Sequence, residues 1–205
     1  MVEEKNWKLE LSEYIKQGEP NKIEKAQIWK IAIGLQDVDG LKPSKYLIKI
    51  AKEHIEGNID IYEVKDRIDQ YYEVVDSKKD LEKEKSEEAD KVAVRITEIL
   101  SENTFNFSIA ELVNIHKRLF IGIFEGAGIF RDYNFTKKEW VLDGDTVIYS
   151  SFETIKDALE YDFEQEREFS YKDLGLDESI KHLCRFTSNI WQVHPFCEGN
   201  TRTTA

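Results

Sequence analysis

The chain has 205 residues, of which 41 are Asp or Glu and 29 are Lys or Arg, giving a formal net charge of −12. A surface this acidic repels phosphate backbones, which excludes nucleic acid as a partner class. Two cysteines in no CxxC or disulfide pattern fit a reducing cytoplasm, the charges in residues 1–20 exclude a secretory signal, and no apolar run approaches the roughly 18 residues needed to span a bilayer. A soluble cytoplasmic protein with no membrane partner is expected.

With only 3 prolines and 10 glycines, the chain reads as mainly helical. Residues 21–38 carry apolar side chains at helical spacing, Gly40 ends that helix, and Ser44 caps the next one over 45–56. Gly57-Asn58 interrupts, and a further helix follows over 61–74. Residues 76–87 are almost purely charged and read as a solvated linker dividing two domains, 1–75 and 88–205. The second half resumes with amphipathic helices over 88–102 and 107–124. Asp143-Gly144 then stands between Trp140-Val141-Leu142 and Thr146-Val147-Ile148-Tyr149, a pattern that predicts a β-hairpin. Helical spacing returns over 152–168 and 177–193. His116 reads as a structural member of its helix, and Arg131 as a candidate partner for a nearby carboxylate.

The last twelve residues are His194-Pro195-Phe196-Cys197-Glu198-Gly199-Asn200-Thr201-Arg202-Thr203-Thr204-Ala205. Pro195 cannot continue the preceding helix, so His194 sits at a helix-to-loop edge. A neutral imidazole there serves either as a general base or as a capping or core residue. Phe196 is the apolar anchor of the loop. Glu198 is a hard oxygen ligand suited to Mg²⁺ shared with substrate phosphates, or a carboxylate that favours a helix N-terminus. Gly199-Asn200-Thr201 can turn N–H groups inward as an anion nest, and Arg202 can fork onto a phosphate. Each element alone is weak; together they describe a phosphate-transfer loop.

This segment resembles the signature of the Fic family, HxFx(D/E)GNxRxxR in its common form, in a GNTRT variant. The resemblance extends upstream through residues 109–135, with an IHxxLF stretch and a Gly-x-x-Arg segment, and covers about residues 88–205. It implies a Fic fold: a helical core with one β-hairpin flap. It further implies a protein adenylyltransferase that moves AMP from ATP, with Mg²⁺, onto a Ser, Thr or Tyr hydroxyl of a target protein, the protein itself being an admissible target. In that reading His194 is the catalytic base and Glu198 holds Mg²⁺. Gly199, Asn200 and Thr201 cradle phosphates, the Asn200 side chain helping, and Arg202 pairs with one. The flap, Trp140, Val141 and Leu142 with Thr146, Val147 and Ile148, positions the target by strand addition.

Two positions depart from the family pattern. Thr201 stands where glycine is usual, and Ala205 where a second arginine is usual. Loss of that charge-assisted contact is expected to weaken use of ATP roughly ten- to hundredfold. Alternatives are a Fic-type transferase with another nucleotide or phosphate donor, or a non-catalytic binding module. Residues 30–72, from Gly40-Leu41-Lys42-Pro43 through Ile55-Glu56-Gly57-Asn58-Ile59 to Tyr71-Tyr72, resemble the small antitoxin-like domain that supplies an inhibitory helix to Fic proteins. In that register the inhibitory slots fall on Leu35, Asp39 and Gly40, with leucine in place of serine and aspartate in place of glutamate. The resemblance therefore implies in-cis inhibition, weakened because the partner arginine is also replaced. Since a helix follows the motif in the family, the second domain is expected to be truncated just after it, and this form to be poorly active. Nothing in the sequence sets an oligomeric state.

Overall fold

The computed structural model describes residues 6–74, 81–138 and 143–205. It is mainly helical, with nine α-helices and one two-stranded antiparallel sheet among the described residues. The chain divides into two compact units, Met1–Thr104 and Phe105–Ala205.

The first unit holds α1 (Asn6–Gln17), α2 (Pro20–Gly34), α3 (Lys45–Ile55), α4 (Ile61–Val74) and α5 (Leu81–Leu100). Pro20 opens α2, where a missing N–H costs nothing. A 3-10 turn over Leu35–Asp39 follows and stops at Gly40, whose φ of 67° only glycine adopts freely. Ser44 caps α3 by accepting from the Leu47 N–H at 3.0 Å. Trp29, Ala32, Ile33, Leu47, Ile50, Ile55, Val64 and Ile68 are buried here. Buried Trp29 donates its indole N–H to His54 Nδ1 at 3.0 Å, and burial pushes His54 down to about 4. Buried Asp90 of α5 ties three helices together. It accepts from the Ser44 N–H (2.8 Å) and hydroxyl (2.5 Å) and from the Tyr72 hydroxyl (2.8 Å).

The charged run differs from its expected role as a divider. Residues 81–87 begin α5, and the units part between Thr104 and Phe105. Lys and Glu are good helix formers, and here they precede the apolar side chains Ala89, Val92, Ala93, Val94 and Ile96, all buried. Through these α5 packs on α2 and α4 and stays with the first unit. The rest of the expected linker, residues 76–80, lies outside the described residues.

The second unit holds α6 (Ile109–Phe120), β1 (Thr136–Lys138), β2 (Thr146–Ile148), α7 (Ile155–Glu168), α8 (Leu176–Val193) and α9 (Asn200–Thr204). Leu112, Ile155, Leu159, Phe163, Ile190, Val193 and Phe196 form one core cluster, drawn from α6, α7, α8 and the loop after it. Buried Glu166 of α7 pairs with His182 of α8 at 2.7 Å. Asp143 and Gly144 adopt positive φ, 53° and 87°, as a tight turn requires. The register nevertheless pairs Thr136 with Ile148 and Lys138 with Thr146, so residues 136–138 lie opposite β2. A two-residue Asp-Gly hairpin would have set 140–142 against β2; those residues lie outside the described residues. No described helix is long and apolar enough to cross a membrane.

Candidate functional site

The site is built at the end of α8. The helix buries Ile190 and Val193, and Pro195 prevents its continuation. His194 takes up the reversal with φ 51° and ψ 61°, a left-handed conformation costly for a residue with a Cβ. The surroundings hold it there. Its backbone carbonyl accepts from Arg131 Nε at 2.8 Å, and the Pro195 carbonyl accepts from the Arg131 N–H at 2.9 Å. Its imidazole, 5% exposed, stacks on Tyr149 at 3.9 Å and 20°. Phe135 and Trp191 meet the ring edge-on at 5.5 and 6.2 Å.

Beyond Pro195 the loop folds over its own anchor. Phe196, 1% exposed, stacks on the His116 ring at 3.7 Å and 11°. Asn200 closes the loop: its Oδ1 accepts from the Phe196 N–H at 2.9 Å, and its Nδ2 donates to the Phe196 carbonyl at 2.7 Å. The expected contact of this side chain with phosphate is thereby joined by a structural one. Each amide atom thus partners buried backbone that would otherwise be left without one, so the side chain holds the loop closed.

His116 supplies the third tie. Its Nδ1 accepts from the Gly128 N–H at 2.8 Å, which leaves Nε2–H to donate to the Glu198 carbonyl at 3.0 Å. Burial pushes its pKa down to about 4, so the imidazole is neutral, as this donor–acceptor pairing requires. The loop around Glu198 is thus fixed from α6 through its backbone, while the Glu198 side chain is exposed.

Gly199 has φ 70°, and a Cβ there would stand 2.4 Å from the Phe120 ring. Conformation and space both demand glycine. α9 starts at the next residue, so its first N–H groups have no acceptors within the helix. Arg202 is 4% exposed, its guanidinium 4.8 Å from the centre of the Phe120 ring. The Thr201 hydroxyl, where the resembling family has glycine, accepts from the Trp191 indole N–H at 3.2 Å, pinning α9 to α8. The short terminal segment is further held by Thr203 and Thr204, whose hydroxyls donate to the Gly199 and Asn200 carbonyls at 2.9 and 2.8 Å.

The structure therefore brings His194, Glu198, Gly199, Asn200, Thr201 and Arg202 onto one loop and the helix it starts. Thr146, Val147 and Ile148 form β2, which leads directly into Tyr149 against His194. Trp140, Val141 and Leu142 fall outside the described residues. Leu35, Asp39 and Gly40 lie in the first unit, where Asp39 and Gly40 are exposed at the end of the 3-10 turn. Sequence reasoning assigned no role to Trp191 at the site, and Arg131 meets backbone carbonyls where a carboxylate was a candidate partner. Only the IHxxLF and Gly-x-x-Arg text pointed toward the His116 and Arg131 contacts.

Among the described residues no group of three or more His, Cys, Asp or Glu gathers as a metal cage. A single exposed carboxylate suits a hard cation that brings substrate phosphates as its other ligands. No curated protein matches the chain. Residues 106–205 match the model of the Fic/DOC family; the match supports a Fic domain over the second unit and suggests a Fic-type transferase.

Proposed function

We propose that the second unit is a protein adenylyltransferase that moves AMP from ATP to a Ser, Thr or Tyr hydroxyl of a target protein, itself included. The observation that carries this reading is the placement of His194: a buried imidazole held between aromatic rings, at the mouth of a loop that ends in a glycine-shaped helix start and an arginine.

In this mechanism the target hydroxyl loses its proton to the His194 imidazole as its oxygen attacks the α-phosphorus of ATP. The oxygen–phosphorus bond forms while the bond to pyrophosphate breaks. The backbone N–H groups at the start of α9 receive phosphate oxygens, and Arg202 offsets the charge that develops on the leaving group. Glu198 would hold Mg²⁺, whose positive charge neutralises the phosphates when bound. The hairpin would take up the target as an added strand through backbone hydrogen bonds.

Ala205, in the slot of the second arginine, favours a second reading in which the donor is another nucleotide or a phosphate compound. The assay is incubation with α-labelled ATP and Mg²⁺, comparing wild type with His194→Ala. His194-dependent labelling of any protein supports the first reading, and its absence with ATP but presence with another labelled donor supports the second. We further propose that the first unit restrains this activity weakly through Asp39. Labelling raised severalfold or more in Asp39→Gly would contradict weak restraint, and a small change is the expected result.

A further inference from the structure

Arg131 stands in the loop before β1, is 3% exposed, and points its guanidinium at carbonyl groups from three segments. Nε donates to the His194 carbonyl at 2.8 Å, and Nη2 reaches the Val193 carbonyl at 3.3 Å. These are end carbonyls of α8, which carry the negative end of its dipole and lack partners within the helix. Nη1 donates to the Tyr133 carbonyl at 2.7 Å, on the leg entering β1, and Nη2 donates to the Ser150 carbonyl, on the leg leaving β2. The same two legs supply the rings around the imidazole, since Phe135 precedes β1 and Tyr149 follows β2.

We infer that Arg131 is a positioning residue that binds both legs of the hairpin to the carbonyl end of α8, so that a target strand docked on the hairpin is held in register with the His194 imidazole. One planar fork makes all of these contacts. Lysine keeps the charge but presents a single ammonium and cannot reach several carbonyls in different directions. The carbonyls it leaves behind would then relax separately, and the imidazole would lose its fixed distance to the docked hydroxyl.

This inference rests on the proposed transferase reading, and the test separates the two. In the His194-dependent labelling assay, Arg131→Lys is expected to lower kcat roughly 10- to 100-fold, because small misplacements of a base cost rate steeply. The KM for ATP stays unchanged, since no contact of Arg131 lies on the phosphate loop beyond Pro195. In Arg131→Ala, guanidinium ion at millimolar concentration restores part of the rate. Two readouts do not depend on activity. Hydrogen exchange should quicken at residues 133–138 and 146–150 in Arg131→Lys, and the upfield ring-current shift that Tyr149 imposes on the His194 ring protons should diminish. Wild-type kcat with unchanged exchange and ring shifts in Arg131→Lys would overturn the inference. So would a loss of rate that only tracks the folded fraction and that guanidinium does not rescue. If wild type shows no His194-dependent labelling, the transferase reading fails, and the exchange and ring-shift measurements still decide whether Arg131 couples hairpin and histidine.

Discussion

Gly199 and Asn200 are adjacent and constrained for different reasons. Gly199 has no room for a Cβ against the fully buried Phe120 ring and sits at positive φ. Gly199→Ala is therefore expected to cost about 1–3 kcal/mol from overpacking, with about 1–2 kcal/mol more from left-handed strain. A drop of several degrees or more in melting temperature, with loss of His194-dependent labelling, checks it. Asn200→Ala leaves the Phe196 N–H and carbonyl buried without partners, which costs about 1–3 kcal/mol by denaturant titration. The residue types of this loop were legible in the sequence, down to a histidine at a helix edge and a glycine at a helix start. The allocation of their atoms was not. An asparagine amide can serve a ligand or a backbone, and only the closed loop shows that Asn200 serves Phe196.

Between elements, the decisive contact is the one His116 makes from α6 to the loop before α9. Its folded pKa of about 4 lies below the ordinary 6.5. A group with a depressed value binds its proton more readily when unfolded, so its contribution is present above pH 6.5 and is lost as pH falls toward 4. Protonation also removes the acceptor that Gly128 uses. His116→Gln should therefore flatten the decline in denaturation midpoint between pH 7 and pH 4 relative to wild type; parallel curves would contradict this. Ser44 shows the same logic in the first unit, where one hydroxyl caps α3 and also donates to Asp90. Ser44→Ala is expected to cost about 0.5–2 kcal/mol from the cap alone, measured by denaturant titration. Helix starts and stops such as Ser44, Gly40 and Pro195 were readable because capping is local chemistry. The hairpin register was not, because Asp143-Gly144 turns the chain without dictating which residues pair beyond it.

Across the whole molecule, buried His54, His116 and Asp90 shape the response to acid. His54 and His116, both near 4, lose stability as pH falls from 6.5. Asp90 acts in the opposite sense: burial raises it from 3.8 to about 6, so the folded chain gains its proton before the unfolded one does. Its contribution grows as pH falls from about 6 to 4 and disappears as pH rises through 6. Asp90→Asn should consequently steepen the acid-side loss of stability relative to wild type, whatever its effect at pH 7. Unfolding free energies at pH 7, 6, 5 and 4 test this, and an unchanged slope would refute it. Composition alone limits the chain to an acidic, mainly helical protein, and the order of residues from His194 to Arg202 points to phosphate chemistry, because local spacing sets capping, turn formation and nest geometry. The tertiary structure decided that α5 belongs with the first unit, that Asn200 and His116 hold the loop closed, and that Arg131 joins hairpin to helix. Those outcomes depend on which distant groups are buried together, where an unpaired carbonyl or amide is costly, and no local pattern encodes that pairing.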